Sequence, residues 1–247
     1  MQTENIKSFY QQSKVVEHYA SATINIGLWH AEEKIFTHVF CKNDTILDLG
    51  CGTGRITMGL YELGYQNLLG VDYAREMIIR AREITKILNY NISFQIGDAT
   101  RLNFAEYDYD GVIFGFNGLM QIPGRNNRRK ALSEVYRIIK PNGIFVFSTH
   151  DRELKKGSKF WKKEKIRWNN GKQKPCLLEY GDRYEMTPLG NSFIHVPTRM
   201  EIIDDLKSSG FIIEADVLRK NIANESNQVR DFSDECRFWV ARKDNKT

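Results

Sequence analysis

The sequence predicts an α/β fold, in which helices flank a largely parallel sheet. The first observation is the stretch Thr45 to Gly54, where an apolar run, Ile46 to Leu49, leads into a glycine-rich turn. The second is the amphipathic segment directly after it, with Ile56, Leu60 and Leu63 at helical spacing. A buried strand, a glycine turn and a helix N-terminus in succession are the opening of a nucleotide-binding α/β unit.

The same alternation of strands and helices continues along the chain. Residues 1–40 read as two amphipathic helices separated by a turn at Gly27. A helix is also predicted from Thr198, which stands three residues before Glu201 as in a capping box. The polar segment 219–235 reads as a surface loop. The remaining predicted elements are strands at 67–71, 91–96, 109–114, 144–149, 211–218 and 237–241, and helices from 75 and over 128–139.

Composition favours a protein of the cytoplasm. Of the 247 residues, 41% are hydrophobic, and no uninterrupted apolar run approaches the roughly 18 residues of a membrane span. The N-terminus is polar and mixed in charge, which argues against a secretory signal. The four cysteines lie far apart, so neither a zinc site nor a disulfide framework is expected. We therefore expect no metal and no membrane partner.

Three glycines on alternate positions, Gly50, Gly52 and Gly54, define the candidate ligand site. A dinucleotide fingerprint places its third glycine one residue later, where this chain has Arg55. Asp48, at the end of the preceding strand, would repel a pyrophosphate and attract a cation. A glycine turn without a ligand is the alternative interpretation of these residues.

The pattern Asp-x-Gly-x-Gly-x-Gly resembles motif I of the class I S-adenosylmethionine-dependent methyltransferases. That cofactor carries an ammonium and a sulfonium and no phosphate, so an acid is a fitting neighbour. Asp72 stands 24 residues after Asp48 at the end of the second strand, where an acid hydrogen-bonds ribose hydroxyls. The cofactor-binding residues implied by the resemblance are Tyr19, Trp29, Asp48, Gly50, Cys51, Gly52, Thr53, Gly54, Asp72, Tyr73, Met77, Asp98, Ala99, Phe116 and Asn117.

Several of these assignments compete with structural roles. Met77 fits a helix core as well as an adenine contact, and Tyr19 and Trp29 fit core packing as well as a cap over the cofactor. Asp98 could cap a turn instead of binding the adenine amino group.

The resemblance also implies an architecture. It predicts a doubly wound, Rossmann-like seven-stranded sheet whose last two strands form an antiparallel pair. The whole chain would be one methyltransferase domain. Its parts would be a helical N-terminal cap (1–40), a cofactor-binding core (45–150), an inserted acceptor lid (151–197) and a C-terminal helix with strands (198–247).

The acceptor is less clearly indicated. His150, at the end of the fifth strand, is the candidate general base, with His195 as a weaker one. The acceptor would contact Tyr10, His150, Trp161, Trp168 and His195. Motifs of the adenine amino and cytosine C5 enzymes are absent after the fourth strand, which favours methyl transfer to an N or O atom of a small molecule.

A basic, aromatic insertion leaves an RNA acceptor open. Segment 152–174 contains Lys155, Lys156, Lys159, Lys162 and Lys163 among Phe160, Trp161 and Trp168. Such a segment could bind tRNA, or could be a solvated surface with inward-facing aromatics. A non-catalytic nucleic-acid-binding module is a more remote alternative, since it would leave the three acids Asp48, Asp72 and Asp98 unexplained.

Overall fold

A seven-stranded sheet forms the centre of the molecule. The computed structural model describes residues 2–154 and 157–245. The strands are β1 (Ile46–Leu49), β2 (Leu68–Asp72), β3 (Ser93–Ile96), β4 (Tyr109–Phe114), β5 (Ile139–Thr149), β6 (Asp182–Thr187), β7 (Gly190–His195), β8 (Phe211–Leu218) and β9 (Arg237–Lys243). The helices are α1 (Gln2–Tyr10), α2 (Ser13–Asn25), α3 (His30–Val39), α4 (Arg55–Glu62), α5 (Arg75–Leu88), α6 (Arg125–Ile138), α7 (Ser158–Asn169), α8 (Arg199–Ser208), α9 (Arg219–Ile222) and α10 (Asn227–Phe232).

The strand order is β3-β2-β1-β4-β5-β9-β8, and β6 pairs with β7 as a separate hairpin. Strands β1 to β5 run parallel, whereas β9 is antiparallel to both β5 and β8. The predicted doubly wound sheet with a final antiparallel pair is thus confirmed. The order reverses between β1 and β4, which creates a crevice at their carboxyl ends.

Alternate residues of the inner strands pack into two cores. Leu47 and Leu49 of β1 belong to a cluster that also contains Phe145. Ile46 belongs to another cluster, with Trp29. Successive side chains of a strand point to opposite faces, so both faces of the sheet are covered. This explains why β1 is apolar at every position except Asp48.

The N-terminal region forms three helices instead of the predicted two. The helical conformation is interrupted at Gln12, whose backbone is extended (φ −70°, ψ 132°), and α2 starts at the next residue. Side chains from both sides of the interruption, Phe9 on α1 and Val15 and Val16 on α2, pack in one cluster. Because both helices contribute to the same core, the spacing of apolar residues along the sequence does not reveal the interruption.

The sequence predicts a turn after the helix and then a strand that begins at residue 144. In the structure, α6 leads directly into β5. Strand β5 begins at Ile139, one residue after α6 ends. The turn-forming residue is still visible inside the strand, since Asn142 adopts a left-handed backbone (φ 64°). A Cβ on Gly143 would lie 2.7 Å from the carbonyl oxygen of Asp110, so glycine is required there.

The prediction of a surface loop at 219–235 is wrong. Two short helices, α9 and α10, form there, and the polar side chains Arg219 and Glu225 are buried. Glu225 accepts hydrogen bonds from the backbone N–H groups of His30 (3.1 Å) and Ala31 (2.9 Å) and so caps the N-terminus of α3. The side chains of these polar residues make contacts inside the protein, which composition does not reveal.

The capping box predicted at α8 is half confirmed. The Thr198 hydroxyl accepts a hydrogen bond from the N–H of Glu201 at 3.1 Å. The side chain of Glu201 instead contacts His195 and two arginines. Among the described residues, no helix combines the length and apolar character that crossing a membrane requires.

Candidate functional site

A cavity of about 360 Å³ opens at the carboxyl ends of β1, β2, β3 and β4. Helices α1 and α2 contribute Ile6, Tyr10, Tyr19 and Thr23 to its lining, opposite the residues of the sheet edge. The cavity therefore lies in the crevice that the reversal of strand order creates. It lies between the sheet and the N-terminal helices.

The glycine loop after β1 forms one wall of this cavity. Gly50 and Gly52 both have positive φ angles, 69° and 55°. A Cβ on Gly50 would meet the Phe114 ring at 2.6 Å, whereas a Cβ on Gly52 would meet no protein atom within 4 Å. Since Gly52 lines the cavity, its backbone is open to a ligand at close range. The neighbouring Thr53 hydroxyl is fixed by a 2.7 Å contact with the hydroxyl of Thr23 on α2.

Asp72 joins this loop to the end of β2. Its Oδ2 accepts a hydrogen bond from Gly52 N–H and its Oδ1 one from Ala74 N–H, both at 2.8 Å. Burial raises the pKa of Asp72, and these backbone donors partly oppose the increase. Each oxygen keeps a second acceptor position, and the side chain lines the cavity. The carboxylate therefore fits two adjacent hydroxyl groups of a ribose.

Asp48 is a buried acid on the same cavity wall. It is 2% exposed, and burial raises its pKa to about 7 despite the hydrogen bond from the Thr57 hydroxyl at 2.5 Å. Arg55 lowers this pKa, but its guanidinium is held in a bidentate pair with Glu32 at 2.6 and 2.7 Å. Asp48 thus lacks a full counter-charge of its own, which suits a cationic ligand group.

Asp98 caps a turn and also lies at the cavity, so the predicted adenine contact stays compatible with the structure. Its Oδ1 caps the following turn by accepting bonds from the N–H and the hydroxyl of Thr100, both at 2.8 Å. The residue also lines the cavity together with Ala99. Capping the turn orients the carboxylate and leaves the other oxygen available to a ligand.

The remaining cofactor candidates divide between the cavity and its surroundings. Tyr73, Met77 and Cys51 line the cavity, and Met77 is at the same time part of a core cluster. Burial raises the pKa of the Cys51 thiol well above its usual value, so the group stays neutral. Gly54 lies outside the lining and serves as the left-handed cap of α4 (φ 90°).

Two consecutive non-glycine residues after β4 have left-handed backbones, Phe116 (φ 47°) and Asn117 (φ 59°). Such residues cost of order 1–3 kcal/mol each and cluster at functional sites. Phe116 lines the cavity, whereas Asn117 turns away from it. The Asn117 backbone N–H donates to the Ser148 hydroxyl at 3.1 Å, and its amide nitrogen lies 3.3 Å from Nε2 of His150.

His150 is placed outside the cavity lining, and both of its ring nitrogens have partners. Nδ1 lies 3.1 Å from the carbonyl oxygen of Glu235, so Nδ1 carries the proton. Nε2 then accepts from the amide of Asn117. With both nitrogens engaged, this histidine joins β5 to the segment before β9, and the arrangement gives no support to its predicted roles as general base and acceptor contact.

Two of the three aromatic candidates in the N-terminal helices reach the cavity. Tyr10 and Tyr19 line it, and burial raises the pKa of Tyr19 to about 12 and that of Tyr10 well above its usual value. Trp29 does not line the cavity. Its ring lies between the guanidinium groups of Arg55 (4.7 Å) and Arg219 (5.0 Å), which makes it a core residue.

The aromatics of the insertion pack on each other instead of lining the cavity. Trp161 is 7% exposed and joins the main core cluster. Trp161 and Trp168 both lie edge-on to Tyr180, at 5.9 and 6.3 Å between ring centroids. Both tryptophans pack against Tyr180 and neither lines the cavity, so the acceptor contacts predicted for them are not supported. Lys155 and Lys156 lie outside the described residues.

His195 is fully buried in an ion network away from the cavity. Its Nδ1 lies 2.8 Å from Asp182 and its Nε2 2.7 Å from Glu201. Burial alone would lower the pKa of His195, but the hydrogen bonds with these two carboxylates outweigh it and raise the pKa. The acceptor contact predicted for His195 is thus replaced by a structural role that joins the β6–β7 hairpin to α8.

Sequence reasoning missed Phe232, which lines the cavity from α10. The sequence does carry a local signal for this helix, because serine is favoured at helix N-caps and Ser226 stands three residues before Val229. The Ser226 hydroxyl caps the helix by accepting from Val229 N–H at 3.3 Å. Val229 and Phe232 then follow at helical spacing.

Comparisons with known proteins identify the family of this chain. The family model described as "Methyltransferase domain" matches residues 41–188. A demethylmenaquinone methyltransferase of Symbiobacterium thermophilum is 34% identical over 124 residues, covering 48% of this chain and 47% of the relative. A carboxy-S-adenosyl-L-methionine synthase of Campylobacter lari is 28% identical over 197 residues, covering 74% of this chain and 76% of the relative. The chain spans about half the length of most curated relatives that it matches.

Solved structures share the fold. The structure of an SAM-dependent methyltransferase from Methanosarcina mazei superposes with a TM-score of 0.67 and 21% identity. The match covers 85% of this chain and 97% of that one.

Proposed function

Because the chain belongs to the class I S-adenosylmethionine-dependent methyltransferases, we propose that it transfers a methyl group from S-adenosylmethionine to an N or O atom of a small molecule. The observation that carries this proposal is the cavity at the carboxyl ends of the strands, which Asp48 and Asp72 line together with the open Gly52 backbone. Asp48 fits a cationic group of the ligand, and Asp72 fits a ribose. The N-terminal helices line the cavity opposite the sheet edge, which favours a small acceptor.

The residues of the cavity suggest how the cofactor would be held. Asp72 would accept hydrogen bonds from the ribose hydroxyls, Asp98 would meet the adenine, and Asp48 would face the ammonium group. Gly52 would allow the close approach of the methionyl chain. When bound, S-adenosylmethionine supplies an electrophilic methyl group on a sulfonium.

The protein would contribute mainly alignment, which can account for several orders of magnitude in rate. Tyr10, Tyr19 and Cys51 line the cavity but keep their protons, since burial raises the pKa of each. These side chains are therefore poor general bases at neutral pH. An acceptor that loses its own proton readily to water, such as an amine or a phenol, suits such a site.

The curated relatives also favour a small acceptor. Their names refer to demethylmenaquinone and to carboxy-S-adenosyl-L-methionine, which are small molecules. An RNA acceptor is the second candidate. It is favoured by the exposed lysines of α7, Lys159, Lys162, Lys163 and Lys165.

A labelling experiment separates the two candidates. Purified protein with methyl-labelled S-adenosylmethionine is offered either the small-molecule fraction of a cell extract or bulk tRNA. We expect label in the small-molecule fraction. Replacing the four α7 lysines by glutamine should leave that labelling unchanged, as should the same change at four exposed lysines elsewhere, Lys14, Lys86, Lys207 and Lys220.

RNA binding would give a different pattern. If the four α7 lysines each contacted a phosphate of a single strand, the log–log slope of affinity against salt would be about −2.8. Affinity would then fall roughly fifty-fold between about 50 and 200 mM salt. Labelled tRNA, lost in the α7 variant and retained in the control variant, would overturn the small-molecule proposal.

A further inference from the structure

A column of aromatic rings leads from the surface into the cavity. The exposed His18 ring stacks on Phe232 at 5.5 Å (24° between planes), and Phe232 stacks on Phe116 at 5.1 Å (27°). Phe232 and Phe116 both line the cavity, whereas His18 does not. Phe232 thus separates the exterior from the interior at this point.

Tyr19 completes the arrangement from the cap. Its ring stands edge-on to Phe116 (6.1 Å, 83°) and to Phe232 (6.4 Å, 88°). The three residues Tyr19, Phe116 and Phe232, here called the ring cluster, come from three separate parts of the chain. All three residues line the cavity, and aromatic rings pair favourably with one another in offset-stacked or edge-to-face arrangements.

The ring cluster carries no formal charge. The Tyr19 hydroxyl keeps its proton, because burial raises its pKa to about 12. Trp29 contacts Phe116 edge-on at 5.7 Å, and the guanidinium groups of Arg55 and Arg219 lie over the Trp29 ring. One of them, Arg55, is neutralised by its bidentate pair with Glu32. The ring cluster therefore offers no charged group that would pair with an anionic acceptor.

The backbone supports a functional role for this end of the cavity. Phe116 adopts a left-handed conformation that phenylalanine rarely takes, and Asn117 follows in the same region. The Asn117 contacts with Ser148 and His150 hold the turn in place. The turn sets the Phe116 ring against Phe232 and Tyr19, and its geometry is fixed from outside the cavity.

We propose that the ring cluster binds a planar aromatic or heteroaromatic acceptor and that Phe232 is the residue that determines which acceptors enter. This inference rests on the proposed function, since it names the class of molecule that the methyltransferase site would take. The acceptor ring would lie against Phe116 and Tyr19, and Phe232 would close the cavity behind it. The short helix α10 carries Phe232.

The proposal can be tested without knowing the natural acceptor, by measuring how model compounds bind to the complex of the protein with S-adenosylhomocysteine. The protein is first saturated with S-adenosylhomocysteine, and that step is measured by calorimetry. Affinities of 1-naphthol and of its saturated counterpart, decahydro-1-naphthol, are then compared by ligand-observed NMR. We expect naphthol to bind about two- to twelve-fold more tightly, the range that corresponds to about 0.5–1.5 kcal/mol for an aromatic pair.

Variants assign this preference to the ring cluster. Phe232→Leu should abolish the preference and leave affinity for S-adenosylhomocysteine unchanged, which also verifies that the variant is folded. Phe160→Leu, at an exposed phenylalanine on α7 outside the cavity lining, should retain the preference. If Phe232→Leu does not fold, nuclear Overhauser effects between naphthol and the aromatic protons of the wild-type protein provide the same information.

The outcomes distinguish the two proposals. Failure to bind S-adenosylhomocysteine would overturn the proposed function itself. Normal binding of S-adenosylhomocysteine, combined with equal affinities for the two alcohols, would overturn the aromatic acceptor alone. A naphthol preference that persists unchanged in Phe232→Leu would show that Phe232 does not select the acceptor.

Discussion

The carboxylate of Asp72 accepts a hydrogen bond from the backbone N–H of Gly52 at 2.8 Å. This bond ties the end of β2 to the glycine loop after β1, so one acid both shapes the loop and lines the cavity. Its second bond, from Ala74 N–H, fixes the carboxylate plane. A side chain held on both oxygens is preorganised for binding, because little rotamer entropy is lost when the ligand arrives.

Asp72→Asn should weaken binding of S-adenosylhomocysteine by about 10- to 150-fold, equivalent to the roughly 1.5–3 kcal/mol of a hydrogen bond to a charged group. The melting temperature of the ligand-free protein should fall slightly, since the amide nitrogen cannot accept from a backbone N–H. Titration calorimetry and thermal unfolding measure the two effects. Asp108→Asn, at an exposed aspartate just before β4, is the matched control. Unchanged affinity in Asp72→Asn would refute the ribose contact.

Cofactor binding should depend on pH through Asp48. With its pKa raised to about 7, this acid is largely protonated below that pH in the ligand-free protein. A cation placed beside it favours the carboxylate, so binding below pH 7 should release a proton. Affinity for S-adenosylmethionine should therefore rise as the pH increases towards 7 and level off above it.

Calorimetry between about pH 5.5 and 8.5, in buffers of different ionisation enthalpy, measures the proton release directly. Asp48→Asn should bind more weakly and lose the pH dependence. A wild-type affinity that is flat over this range would mean that Asp48 does not face the cationic group.

Stability should depend on pH through His195. Because the folded-state pKa of this histidine is raised, its contribution is fully present below its usual value of 6.5 and is lost as the pH rises through the raised value. Glu201 acts in the opposite direction. Its pKa is lowered to about 2, so its contribution is present above 4.5 and is lost as the pH falls. The charged groups around the ring are Asp182, Glu179, Arg128 and Arg152.

His195→Gln should reduce the free energy of unfolding by roughly 3–5 kcal/mol near pH 6, as expected for breaking a buried ion pair. The loss should become smaller at alkaline pH, where wild-type His195 has already given up its proton. Urea unfolding at a series of pH values provides the test, with His38→Gln at an exposed histidine as control. A destabilisation independent of pH would indicate a packing role for the ring.

The glycine loop and its acids could be predicted because their signals are local. Gly50, Gly52 and Asp72 follow strands at fixed intervals, and parallel strands bring their carboxyl ends to one edge. The sequence therefore predicts both the loop and its partner acid, although not the hydrogen bond that joins them.

Residues whose role depends on distant partners could not be predicted. His150 looked like a free base at a strand end, but Glu235 and Asn117 occupy its nitrogens. Glu225 and Phe232 lie in a segment whose polar composition suggested a surface loop. One caps α3, and the other lines the cavity, through contacts that sequence spacing does not encode.

The most direct measurement of the central claim is titration calorimetry of the purified protein with S-adenosylmethionine, S-adenosylhomocysteine and NAD under identical conditions. Asp48, the early third glycine and Arg55 in place of the later one all argue for a cationic, phosphate-free ligand. We expect both adenosyl compounds to bind with one site per chain and NAD to give no measurable heat at the same concentrations. Binding of NAD in the absence of any binding of S-adenosylmethionine would contradict the account.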